Sequence, residues 1–156
     1  MPSICYLCTG TQARPQGARQ IDASQIFRTP VTILLVEDFA PYRAYVSSLL
    51  ARHSQLNVVD EASQGLEAVE KARKWKPDLI LMDIGLPLLN GIEAARRIRE
   101  ENSHSRIVFL SQDSSPEFVA EAIKLGACGY VSKSDAENDL LTAIETVLAG
   151  KQSFRQ

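Results

Sequence analysis

Five side chains in this sequence could act together: the carboxylates of Glu37, Asp38 and Asp83, the hydroxyl of Ser111 and the ammonium of Lys133. Each stands at the end of a short apolar stretch. Glu37-Asp38 follows residues 31–36, Asp83 follows the unbroken run Leu79-Ile80-Leu81-Met82, Ser111 closes 106–110, and Ser132-Lys133 closes 128–131. Such runs read as strands buried on both faces, the usual state in a parallel sheet. Taken singly, each residue also has a plain structural use. Asp83 could cap the turn at Gly85 and Pro87, Glu37-Asp38 could be a solvated strand end, Ser111 a helix cap and Lys133 a surface charge. Taken together they point to one rim, because all carboxyl ends of a parallel sheet lie along the same edge, where ligands gather. Three carboxylates crowded there repel one another and require a cation. With only oxygen ligands on offer, the hard ion Mg²⁺ suits them best, and Lys133 adds a second positive charge. A lone carboxylate neutralised in this way is suited to accepting a phosphoryl group, without a general base.

The elements needed to hold these residues can be read from periodicity. Strands are expected over 31–36, 56–59, 79–82, 106–110 and 128–131. Helices are expected over 41–53, 65–75 and 91–101, from Ser115-Pro116 to a stop at Gly126, and from a Ser134/Glu137 capping box to a stop at Gly150. Their inward faces are Val46, Leu49 and Leu50; Leu66, Val69 and Ala72; Ile92, Ala95 and Ile98; Val119, Ala122 and Ile123; and Leu140, Leu141, Ile144, Val147 and Leu148. The resulting βαβαβαβαβα order predicts a parallel sheet with right-handed crossovers and helices on both faces.

A chain of 156 residues has room for one domain with a full core. The net charge of -2 gives no basic field for nucleic acid, so no nucleic-acid contact is expected from this chain. No apolar run approaches the ~20 residues that span a membrane, and the N-terminus lacks the pattern of a secretory signal. Three cysteines cannot all pair, which suits a reducing cytoplasm. Residues 1–29 are poor in apolar residues and aperiodic, and are expected to form a flexible extension; the domain proper is 30–150, with a tail at 151–156. Cys5 and Cys8 make a C-x-x-C with no second ligand pair, which argues for a chance pair over a zinc site. His53 and His104 are read as surface or helix-capping residues and Trp75 as packing.

With these residues in place, the stretch 31–150 resembles the receiver domain of bacterial response regulators, the CheY-like family. The matching residues are Glu37-Asp38, Asp83 with Pro87 and Gly91 behind it, Ser111, Tyr130 with Lys133, and Pro77-Asp78-Leu79 ahead of the third strand. Ser134 after Lys133, and Gly126-Ala127-Cys128-Gly129-Tyr130, resemble the transcription-factor subclass with a helix-turn-helix output. About six residues beyond the last helix leave no room for such an output here, so a stand-alone receiver and the receiver part of a longer protein both fit.

The resemblance implies a doubly wound five-stranded parallel sheet in the order 2-1-3-4-5, with five helices. It implies that Asp83 takes a phosphoryl group from a sensor histidine kinase or phosphotransfer protein. Asp38, Asp83 and the main-chain carbonyl of Gly85 would bind Mg²⁺ directly, and Glu37 through water. Lys133 would pair with phosphoryl oxygen, Ser111 would hydrogen-bond to it, and Tyr130 would change rotamer with it. Partner binding or a homodimer would use the face of the fourth helix, fifth strand and fifth helix. The chain would be a switch rather than an enzyme, with only self-catalysed phosphorylation and dephosphorylation.

Three other readings fit less well. A phosphatase with an aspartyl-phosphate intermediate wants a carboxylate two residues after its nucleophile, where this chain has Gly85. A flavin or nucleotide site wants a glycine-rich loop after the first strand, where Asp38-Phe39-Ala40-Pro41 stands instead. A phosphorylation-independent protein-binding pseudo-receiver would be expected to have lost the acceptor or the lysine, and both are present. Deleting the residues before Phe27 should leave the thermal midpoint nearly unchanged, because they bury little apolar surface; calorimetry of the shortened chain checks this.

Overall fold

The computed structural model describes residues 29–102, 104–112 and 115–154. Cys5 and Cys8 lie outside them. The elements are β1 (Val31–Val36), α1 (Ala40–Ala51), β2 (Leu56–Ala62), α2 (Gly65–Trp75), β3 (Leu79–Asp83), α3 (Gly91–Glu101), β4 (Arg106–Ser111), α4 (Pro116–Lys124), β5 (Gly129–Ser132), a 3₁₀ turn (Lys133–Asp135), α5 (Ala136–Leu148) and β6 (Ser153–Phe154).

The strands form one sheet in the order β2-β1-β3-β4-β5-β6, with every pair parallel. Side chains alternate between its faces, as the pleat requires. Leu34, Val36, Ile80, Met82, Ile107, Phe109 and Tyr130 point to the layer formed by α2, α3 and α4. Ile33, Leu35, Leu79, Leu81, Val108, Leu110 and Val131 point to the layer formed by α1 and α5. The central strand β3 is buried along its whole length, which is why it reads as an unbroken apolar run.

Several details depart from the sequence reading. Leu66 and Ile123 are 47% and 46% exposed rather than inward. On α2 the inward stripe is Gly65, Ala68, Val69 and Ala72, spaced i, i+3, i+4, i+7, and Leu66 lies off it. α4 buries only Val119 and Ala122. The Ser134/Glu137 capping box does not form. The Ser134 hydroxyl instead bonds the Ser132 hydroxyl at 2.9 Å, and the 3₁₀ turn delays the helix to Ala136.

The expected tail also contributes to the sheet. Gly150 leaves α5 with φ 85°, a left-handed turn that favours glycine. The chain then returns beside β5, where the Ser153 N–H donates to the Cys128 carbonyl at 2.9 Å and Phe154 packs on the cluster that holds Tyr130. The sheet therefore has six strands, not five.

One close approach sets the position of the acidic rim. The Gly91 N–H donates to the Ile84 carbonyl at 2.9 Å, so α3 starts directly against the end of β3. A Cβ on Gly91 would lie 2.0 Å from the Asp83 carbonyl oxygen. Gly91→Ala must push α3 away from β3. Overpacking of this kind costs about 1–3 kcal/mol, so the thermal midpoint should fall by several degrees and the Asp83 backbone amide should shift in NMR spectra.

Candidate functional site

The parallel register brings the strand ends together. Val36 pairs with Met82, Asp83 with Leu110 and Ser111 with Ser132, so the residues at and just beyond these positions share one edge. One oxygen from each of Glu37, Asp38 and Asp83 lies within 4.8 Å of the others. The Lys133 ammonium sits 2.5 Å from Glu37 Oε2 and 3.3 Å from Asp83 Oδ2. These groups open into a cleft of about 680 Å³ whose walls also include Gly85, Ser111, Gln112, Phe39, Tyr42 and Phe118. Every predicted catalytic and metal-binding residue thus reaches the cleft. Tyr130 does not line it; the ring is fully buried in the core below.

The three acids differ in burial. Glu37 is fully buried, Asp83 nearly so, and Asp38 is exposed. Glu37 is held on all sides: Oε1 accepts the Phe39 N–H at 3.1 Å, Oε2 meets Lys133, and its carbonyl accepts a bond from Arg43 Nη1 at 2.7 Å. Burial pushes its carboxyl above the usual glutamate range; the Lys133 hydrogen bond opposes this, and the charge of Asp83 adds to it. Asp83 Oδ1 accepts the Gly85 N–H at 3.1 Å, which closes a tight turn and fixes the carboxylate at the strand end. An all-oxygen donor set with one exposed carboxylate fits a hard, partly hydrated divalent ion such as Mg²⁺.

Sequence reasoning missed two residues of the site, Tyr42 and Arg43, both in the first turn of α1. Arg43 bridges the Glu37 carbonyl and the Glu61 carboxylate, tying the end of β1 to β2. The Tyr42 hydroxyl donates to the Lys133 carbonyl at 3.3 Å, and its ring lies 4.9 Å from the Lys133 ammonium. Burial, reinforced by the Glu37 charge, holds the phenol well above its usual range, so it stays a donor. The available signal was an aromatic and an arginine a few residues past Asp38, informative only once α1 is oriented. The other singled-out residues lie elsewhere. His104 faces Asp78 at 3.4 Å, His53 lies between α1 and α5, and the half-exposed Trp75 donates to Asp60 at 2.9 Å.

The family model of the response regulator receiver domain matches residues 33–145. The chain belongs to this family.

Among similar receivers, the nitrate/nitrite response regulator NarL of Escherichia coli K12 is 39% identical over 122 residues, which are 78% of this chain and 56% of that one. The transcriptional regulatory protein DegU of Brevibacillus brevis is 32% identical over 126 residues, 81% of this chain and 53% of that one. The chain therefore spans little more than half the length of these curated relatives. The crystal structure of a LuxR-family two-component response regulator from Aurantimonas sp. SI85-9A1 superposes with a TM-score of 0.77 at 36% identity, covering 80% of this chain and 89% of that one. The receiver domain of the putative response regulator NarL from Mycobacterium tuberculosis gives 0.75 at 26% identity, covering 79% and 99%. The chain is accordingly a CheY-like receiver domain of two-component signal transduction, and the pseudo-receiver alternative gains no support. Receivers of this family are characteristically phosphorylated, Mg²⁺-dependent signalling switches.

The raised Glu37 pKa gives a pH dependence with a definite sign. In the metal-free receiver, the folded state binds this proton more tightly than the unfolded chain does. The contribution of Glu37 to stability is therefore full below the ordinary glutamate value and declines as pH rises through the raised one. Glu37→Gln should behave like wild type near pH 4 and melt higher than wild type near pH 7. Thermal melts at the two pH values in EDTA check this.

Proposed function

We propose that Asp83 is the phosphoryl acceptor of this receiver, with residues 30–154 as the functional unit and the phosphohistidine of a sensor kinase or phosphotransfer protein as donor. The observation that carries this reading is the convergence of Glu37, Asp38, Asp83 and Lys133 on one cleft. Asp83 ends the central strand, nearly buried, with acids on one side and an ammonium on the other. Its carboxylate oxygen forms the new bond to phosphorus as the bond from phosphorus to the imidazole nitrogen breaks, and the electron pair leaves with the imidazole. The product is an acyl phosphate.

Asp38, Asp83 and the Gly85 carbonyl would hold Mg²⁺ directly, with Glu37 acting through water. When bound, the ion supplies neutralising charge to the phosphoryl oxygens. Lys133, 3.3 Å from Asp83 Oδ2, is placed to pair with one of those oxygens. Rigid strand ends fix the line of attack. Gly85 puts no side chain over the acceptor, so a small phosphodonor could enter, and self-catalysed phosphorylation and dephosphorylation are the only chemistry expected.

The output would be a change of packing. Ser111 moves to bond the phosphoryl group, and Tyr130 repacks with it. The ring is already fully buried, and phosphorylation would favour this inward packing over an outward one. Nearly complete conversion needs a bias of about 5.5 kcal/mol. The face of α4, β5 and α5 would then bind a partner or a second copy, in the cytoplasm where response regulators work. No helix among the described residues is long and apolar enough to cross a membrane.

Wild-type protein should take an acid-labile, hydroxylamine-sensitive label from acetyl phosphate in Mg²⁺, and Asp83→Asn should fold and take none. Asp38→Ala should weaken Mg²⁺ binding severely and Glu37→Ala less, as read by titration calorimetry. Full labelling of Asp83→Asn would place the acceptor elsewhere.

A further inference from the structure

Among the described residues Lys133 is the only cation ion-paired with the carboxylates of the acidic cluster, yet it stands on a turn. The strand β5 has ended, and the 3₁₀ turn Lys133–Asp135 is followed by a helix without a side-chain cap. A residue that must meet a transferred group in one geometry needs support from rigid neighbours. That support comes from Tyr42, which touches Lys133 at both ends. Its hydroxyl bonds the Lys133 carbonyl at 3.3 Å, and its ring lies 4.9 Å from the ammonium. The ring is itself held, because Tyr42 is half-buried in the first turn of α1, packs on the core layer beneath α1 and α5, and meets the Tyr45 ring at 5.7 Å. An aromatic face attracts a cation and displaces water from it, which leaves Lys133 the carboxylate side of the cleft to occupy.

We propose that Tyr42 is a positioning residue for phosphoryl transfer, acting through Lys133 chiefly by holding its ammonium with the ring, the long hydroxyl–carbonyl bond being a minor second contact. The proposal rests on Asp83 as acceptor. Tyr42→Phe keeps the ring and loses one long hydrogen bond, so its labelling rate should stay within about twofold of wild type. Tyr42→Leu removes both contacts and should slow acetyl phosphate labelling on the order of three- to tenfold, with Mg²⁺ affinity unchanged.

The deciding experiment repeats both substitutions in Lys133→Ala, which should label slowly but measurably. If Tyr42 acts through Lys133, Tyr42→Leu adds no further slowing there. The Lys133 side-chain Hε resonances should also carry a ring-current shift in wild type and Tyr42→Phe that disappears in Tyr42→Leu. Equal slowing in both backgrounds, a wild-type rate for Tyr42→Leu, or no ring-current shift would each overturn this proposal while leaving the acceptor intact. An unlabelled wild type, or a labelled Asp83→Asn, would overturn the acceptor reading itself and this proposal with it.

Discussion

Three carboxylates held at one strand edge are the constraint on which this domain turns. Glu37, Asp38 and Asp83 place oxygens within 4.8 Å of one another, and Glu37 is fully buried. Like charges at that distance are unfavourable, and burial worsens the cost for Glu37. Lys133 compensates in part, by touching Glu37 and Asp83 at once. Such a cluster is poised to gain from any further positive charge.

Holding that cluster falls to backbone geometry more than to side chains. β3 delivers Asp83 from the middle of the sheet, and α3 begins so close behind it that only a glycine fits at position 91. The Gly85 N–H turns the carboxylate, and the Phe39 N–H and Arg43 hold Glu37. The Lys133 ammonium, by contrast, is not delivered from a strand. It reaches in from the turn after β5 and leans on α1. The acidic half of the site is therefore built into the sheet, whereas its basic half depends on how α1 and the β5–α5 connection meet.

The opposite end of β5 carries a second coupling. Tyr130 lies in the core two residues before the strand ends, in register with Phe154 of β6, which packs on the same cluster. The chain that follows α5 is thus tied to the strand that carries Tyr130.

Much of this was legible from residue order alone, for identifiable reasons. A short unbroken apolar run such as 79–82 reads as a strand covered on both faces, and strands alternating with long helical patterns favour a parallel sheet, which brings the acids at their ends to one edge. Periodicity also placed the helices, since burying one face is what makes them stable. What it left open were choices made by neighbours. Leu66 and Ile123 are apolar, yet face solvent because the stripes that meet the core are Gly65, Ala68, Val69 and Ala72 on one helix and Val119 and Ala122 on the other. Ser134 could have capped a helix, but bonds Ser132 once the chain enters a 3₁₀ turn. Ser153 and Phe154 become a strand only because the edge of β5 is free to pair with them. Tyr42 enters the site only when α1 docks across from Lys133, a contact spanning 91 residues that no local pattern encodes. Local sequence determined which groups arrive at the rim; the docking of helices against the sheet decided how they are held.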